Sequence, residues 1–179
     1  MLSYTTFDDI RGINRQLNES VVIAKAAHKE YKTGFLSHSS KDSELLPGVL
    51  TIIENHGGHV YIDKKDSRLP DSVTPETAEI LRDTIRQCKK MVVLVSSNTK
   101  ESRWIPWELG LGDEAKTTRN VALFPVVEKS YETTWTQQEY LGLYRRIIWG
   151  NFKHKDKSEW MVYDHRDNTA DPLGEWLKY

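Results

Sequence analysis

Met91-Val92-Val93-Leu94-Val95, followed after six residues by Ser102-Arg103-Trp104-Ile105-Pro106-Trp107-Glu108-Leu109-Gly110, is the stretch on which the fold turns. The first part, uncharged and rich in valine, reads as a strand buried on both faces, the kind found inside parallel sheets. The second part reads as the helix that follows, because Trp104, Trp107, Leu111 and Ala115 recur at three- and four-residue steps. Ser102 is placed to cap the first turn, and Pro106 sets the start of the regular helix near itself, since an interior proline forfeits a backbone hydrogen bond. Glu108 lies four residues from Trp104 and three from Leu111, so it borders the apolar face. It also sits just past the carboxyl end of a strand, where open α/β sheets place their ligands. A half-buried glutamate paired with Arg103 or a backbone amide is the competing reading. Gly110 and Gly112 weaken the helix and leave room for a close neighbour.

Outward from this stretch, short strand-like and longer helix-like pieces alternate, as βα units do. Gly34-Phe35-Leu36-Ser37 predicts the first strand. A polar loop, His38-Ser39-Ser40-Lys41-Asp42, leads into a helix carrying Leu46, Val49, Leu50 and Ile53 that stops at Gly57-Gly58. Val60-Tyr61-Ile62 predicts the second strand, and after a loop from Asp63 to Val73, Thr74-Pro75-Glu76 opens a helix running to about Lys89. Met91 to Val95, Val121 to Val127 and Arg145 to Trp149 are the third, fourth and fifth strands. Right-handed crossovers wind these into a five-stranded parallel sheet with helices on both faces, an α/β fold. Ahead of it, Phe7, Ile10, Leu17, Val21 and Ala24 predict one N-terminal amphipathic helix within residues 1–31. The main domain spans residues 32–150. Residues 151–179, charged with sparse aromatics, read as a C-terminal extension packed on it, with a last short helix in Pro172 to Tyr179.

The chain has 179 residues, 38% hydrophobic and 28% charged, enough for a real core. Its formal net charge of -1, with acids and bases interleaved, supplies no basic field for nucleic acid or anionic membranes, and neither partner is expected. One cysteine, no long uncharged apolar stretch and no signal-peptide pattern at Met1-Leu2-Ser3-Tyr4 point to a reducing cytoplasm. Cys88 follows Ala78, Leu81 and Ile85 at helical spacing and reads as a core residue, not a nucleophile. Three look-alike motifs carry less weight. Gly110-Leu111-Gly112-Asp113-Glu114-Ala115 fits the dinucleotide fingerprint only as a string, because a Trp-rich segment, not a strand, precedes it. His56-Gly57-Gly58-His59 reads as a solvated turn, and His38 between Ser37 and Ser39 lacks a nucleophile elbow.

Gly34 to Asp42 resembles the first box of Toll/interleukin-1 receptor (TIR) domains, bacterial ones above all, and Gly58-His59-Val60-Tyr61-Ile62-Asp63 resembles their second strand leading into the BB loop. Met91 to Ser97 with Ser102 to Leu109 is similar to the family's third strand and its Trp-x-x-x-Glu helix. The likeness runs from about Thr33 to Trp149 with three boxes in order.

The resemblance implies a flavodoxin-like TIR fold and, for the Trp-x-x-x-Glu subgroup, cleavage of the nicotinamide–ribose bond of NAD. It maps the catalytic residue to Glu108. A carboxylate suits that chemistry, because breaking an N-glycosidic bond builds positive charge on the ribose. NAD is then the substrate; no metal or further cofactor is called for. By the same resemblance Phe35, His38 and Ser39 line the nicotinamide-ribose end, and the loop with Asp63 and Arg68 engages adenine or a neighbouring protomer. A cyclising enzyme must also keep water from the ribose carbon, and Trp104, Trp107 and Phe35 are the candidates for the apolar wall that does so. An NAD glycohydrolase or ADP-ribosyl cyclase of antiviral immunity follows, resembling Thoeris-like defence proteins. It would work as a homo-oligomer through TIR–TIR contacts, and with no fused effector domain it would signal to a separate effector protein. The alternative is a non-catalytic TIR adaptor acting by self-association, for which Glu108 has no evident use.

Overall fold

The computed structural model describes residues 2–28, 32–62, 74–133, 138–152 and 155–178. Its strands are β1 (Thr5–Thr6), β2 (Gly34–Ser37), β3 (Val60–Tyr61), β4 (Lys90–Val95), β5 (Val121–Val127), β6 (Arg145–Gly150), β7 (Glu159–Asp164) and β8 (Thr169–Pro172). Among the described residues the helices are α1 (Phe7–Asn14), α2 (Glu19–His28), α3 (Leu46–Asn55), α4 (Pro75–Gln87), α5 (Ile105–Lys116) and α6 (Leu173–Lys178). One sheet orders the strands β3-β2-β4-β5-β6-β7-β8, with β1 on β5.

The five strands expected from the sequence are β2 to β6, and every pairing among them is parallel. The sheet extends beyond them. β7 and β8 continue it antiparallel past β6, in a tail whose charges mask the short apolar run Trp160-Met161-Val162-Tyr163. β1 pairs with Val126 and Val127 of β5 just beyond the point where β6 stops pairing with it, so the N-terminal residues fill a gap between diverging strands. Two-residue strands are too short to show periodicity, which is why the sequence pattern does not reveal β1.

Both faces of the sheet are covered, and strict alternation along β4 shows how. Val92 and Leu94 join Ile10, Leu50, Ile53 and Trp176 in the core beneath α1, α3 and α6. Met91, Val93 and Val95 join Phe35, Leu81, Ile85, Ile105 and Leu109 in the core beneath α4 and α5. A strand buried on both faces must be apolar throughout, hence the unbroken run that marks it in the sequence. Thr74 caps α4 reciprocally with Thr77, with Pro75 in the first turn, and α3 ends at Gly57, whose φ of 84° suits glycine.

The single N-terminal helix expected from the heptad-like spacing is divided in two. Asn14 ends α1 by donating from Nδ2 to the carbonyl of Glu44 at 2.7 Å, and tight turns over Gln16 and Leu17 precede a restart in which the Asn18 side chain accepts from the Val21 amide. Asparagine competes for backbone groups in this way and breaks a periodic pattern. Cys88 is buried, and its burial pushes the thiol up to about 11, far from the reactive thiolate range. No helix among the described residues is long and apolar enough to cross a membrane.

What positions the site is the closeness of α5 to the sheet. A Cβ at Gly112 would lie 2.0 Å from the sulfur of Met91 on β4, whereas one at Gly110 meets nothing within 4 Å. Gly110-to-Ala115 is thus the body of a helix, not a phosphate-binding turn. Gly112→Ala forces a displacement in a packed core and is expected to cost about 1–3 kcal/mol. Gly110→Ala should leave stability unchanged or raise it by up to about 1 kcal/mol, because only the helix propensity changes. Denaturant melts of the two variants give the comparison.

A second expectation concerns acid. Arg166 donates to both carboxylate oxygens of Asp164 at the β7–β8 turn (2.9 and 2.7 Å), and that pairing pushes the Asp164 carboxyl down to about 2. A depressed carboxyl contributes stability above its unfolded value, about 4, and loses it as pH falls through its folded value. The stability gap between the native protein and Asp164→Asn should therefore be full at neutral pH and close between about pH 4 and about pH 2.

Candidate active site

β2 hydrogen-bonds to β3 on one side and β4 on the other, so the crossover leaving β2 toward β3 and the one leaving β4 toward β5 run in opposite directions. The carboxyl ends of β2 and β4 are therefore the topological switch point, the usual ligand site of open α/β sheets. Three chain segments converge there: the exit of β2, the exit of β4, and the first turns of α5.

Glu108 reaches this point by simple geometry. α5 runs antiparallel to β4 and touches it at Gly112. Four helical residues back from Gly112 is a rise of about 6 Å, and two strand residues forward from Met91 is about the same distance. Position 108 is thus level with Val93, whose partner in β2 is Ser37. Side chains alternate along a strand, so Ser37 shares the α5 face with Phe35, two residues earlier. The outcome is a hydrogen bond from Ser37 Oγ to Glu108 Oε2 of 2.5 Å, with Glu108 only 3% exposed and Ser37 wholly buried.

That burial corrects the sequence reading. Glu108 does not border the buried face of α5 but occupies its middle, with Ile105, Leu109, Gly112 and Lys116, while Trp104, Trp107 and Leu111 are half-buried flanks and Ala115 is exposed. The tryptophan stripe misled because bulky residues dominate periodicity, whereas glycine and glutamate contribute nothing apolar to it. Ser102 Oγ accepts from the Ile105 amide at 3.3 Å, but the N-cap position of α5 is Trp104, which makes no side-chain capping bond.

Around Glu108 the loops are pinned. Asp42, in the 3-10 turn Ser40–Leu45 after β2, is 1% exposed and accepts from Ser96 Oγ (2.8 Å to each oxygen) and from Asn98 Nδ2 (2.7 Å). Ser96 in turn donates its amide to Thr99 Oγ1. This network ties the exit of β2 to the exit of β4. At the surface Lys41 pairs with Glu101 across the same two loops, and the ammonium holds the Glu101 carboxyl below its usual range. His38, Ser39, Lys41, Arg103 and Trp104 line a cleft of about 300 Å³ here, with Ser40, Glu101 and Ser102. Glu108 lies one helical turn deeper than Trp104. A smaller cavity of about 170 Å³ opens on the far side of β4, between the ends of β4 and β5.

The residues singled out from the sequence thus separate. His38, Ser39 and Trp104 line the cleft, while Glu108 lies buried beneath it and bonds Ser37, the neighbour of His38. Phe35 is fully buried and stacks on Tyr61 with centroids 5.4 Å apart, and Trp107 turns toward α4 beneath the Arg82 guanidinium. Asp63 and Arg68 lie outside the described residues. Ser37 and Asp42 were within the quoted first box without a role. The signal for Ser37 was its parity with Phe35, which aims a polar group at the helix; nothing local distinguished Asp42 from a solvated loop acid. His56 bonds the carbonyl of Ile52 through Nδ1 at 2.7 Å, within its own helix end.

Removing the Asp42 carboxylate strands the donors of Ser96 and Asn98. Asp42→Ala is expected to lose about 2 kcal/mol or more of stability, as for buried hydrogen bonds to a charged group, and chemical denaturation measures it.

A family model described as TIR domain matches residues 35–163. The chain is 37% identical over 163 residues to the probable 3' cyclic ADP-D-ribose synthase ThsB' of Bacillus cereus (strain MSX-D12), covering 87% of this chain and 83% of that protein. It is 29% identical over 118 residues to a candidate cyclic ADP-D-ribose synthase, TIR2, of Cytobacillus dafuensis, covering 57% of this chain and 31% of that larger protein.

Proposed function

The chain belongs to the TIR domain family, and from that premise we propose that it cleaves the nicotinamide–ribose bond of NAD and rejoins the ADP-ribosyl group into a cyclic, ADP-ribose-derived signal. The observation that carries the reading is a carboxylate, Glu108, buried at the switch point beside a cleft with basic and aromatic walls. A carboxylate is costly to bury and is kept where charge is needed.

In this reaction the electron pair of the C–N bond leaves with nicotinamide, which becomes neutral, and positive charge grows on the ribose anomeric carbon. Glu108 supplies a fixed negative charge for that carbon, in surroundings where water screens it poorly. Lys41 and Arg103 suit the pyrophosphate, Arg103 with a planar fork and Lys41 as a point charge that exchanges Glu101 for phosphate. Trp104 offers an apolar face to a flat ring. The acceptor decides the product: water gives ADP-ribose, whereas attack by a group of the same ADP-ribosyl moiety closes a ring and requires water to be kept out. The names of both relatives, cyclic ADP-D-ribose synthases, favour the ring.

Asp63 and Arg68 belong, in this reading, to the loop that meets adenine or the next protomer of a homo-oligomer. The product is a diffusible signal to a separate effector in antiphage defence, and the setting is the cytoplasm, where a free buried thiol such as Cys88 is ordinary. NAD is substrate, not cofactor.

Glu108→Gln keeps size and removes the anion. Nicotinamide release from NAD should fall by about 10²-fold or more, with a thermal melt reporting an intact fold, and mass spectrometry of the native product should find a cyclic ADP-ribose isomer. Native-like turnover in the variant would remove Glu108 from the chemistry.

A further inference from the structure

We propose that Ser37 is a positioning residue of this reaction, its buried hydroxyl holding the Glu108 carboxylate in the orientation that acts on the ribose. The inference rests on the reading of Glu108 given above and adds to it the group through which the fold controls that carboxylate.

The placement argues for a role. Ser37 closes β2, a strand that is otherwise Gly34-Phe35-Leu36 and is buried at every position. Its register partner in β4 is Val93, an apolar residue with no exposure. A hydroxyl in such a place carries a desolvation cost that an alanine or valine would not, unless it is bonded. It is bonded to one group in particular, Oε2 of Glu108, 71 residues away in sequence and 2.5 Å away in space. A hydroxyl has a single proton to donate, and here it goes to the carboxylate. Since Ser37 is 0% exposed and Glu108 3% exposed, bulk water has no access to replace that donor.

Two consequences follow for the chemistry. A glutamate side chain has three rotatable bonds, and a donor fixed to a strand end removes most of that freedom before substrate arrives, so less is left to organise at the transition state. A donor to a carboxylate oxygen also favours the charged form over the neutral one, and only the charged form stabilises a cationic ribose. Both effects belong to kcat. Neither places Ser37 against the substrate, so KM should change little.

The test compares nicotinamide release from NAD by the native chain, Ser37→Ala, Ser37→Cys, Glu108→Gln and the double variant Ser37→Ala/Glu108→Gln, each checked by thermal melt. Ser37→Ala is expected to lower kcat by about 10- to 100-fold, the range of a buried hydrogen bond to a charged group, with KM little changed. Ser37→Cys fills the same volume with a weak donor and should also lose activity, which separates the donor from the packing. In the Glu108→Gln background, Ser37→Ala should cost no more than about twofold further, because a residue acting through Glu108 has nothing left to act through. The same fractional loss in both backgrounds would make Ser37 a packing residue and overturn the proposal, and so would native kcat in either single Ser37 variant. A fully active Glu108→Gln would overturn it by a different route, by removing the reading on which it rests.

Discussion

The contact of Gly112 with Met91 sets the depth of everything at the switch point. A Cβ at 112 would overlap the buried Met91 side chain, so a larger residue there requires Met91 to repack or α5 to lift, and a lifted α5 would draw Glu108 away from Ser37. With α5 seated, the carboxylate is carried under the loops to the level of Ser37 and Val93. Sequence position, helix rise and strand alternation together leave one place for it.

A charge taken that deep must be compensated, since an unpaired buried carboxylate costs far more than a hydrogen bond returns. The fold answers with donors on fixed elements: a strand-end serine for Glu108, and a serine and an asparagine for Asp42. The pair divides the work. Asp42, locked to Ser96 and Asn98, holds the exits of β2 and β4 together and so shapes the cleft. Glu108 lies beneath that cleft, bonded to Ser37, and is the residue to which the proposed reaction assigns the charge. Several local rules are broken near one another, with glycine inside a helix and with serine and two acids in the core. Such a concentration is expected at a site selected for chemistry instead of stability.

How far the sequence could be read follows from the same physics. The parallel strands were legible because burial on both faces demands unbroken apolar runs, as in Met91 to Val95 and Val121 to Val127. The cap at Thr74 was legible because capping is local. Glu108 stood out by type and place, and the TIR resemblance implies a role for it. Its depth did not show, because a glycine's contribution to helix packing is an absence of atoms and leaves no periodicity. β7 and β8 were lost in a charged tail whose pairing depends on β6 already being present. Asp42 looks like any loop acid until the two strand exits are side by side. Long-range hydrogen bonds of this kind have no local signature.

The central claim is that NAD reacts at the switch point beside Glu108. A crystal structure with a non-cleavable NAD analogue tests it most directly. The account predicts the ribose anomeric carbon within van der Waals reach of the Glu108 carboxylate, with the diphosphate toward Lys41 and Arg103. An analogue seated instead in the cavity between the ends of β4 and β5, with Glu108 still closed against Ser37 and out of reach, would contradict it.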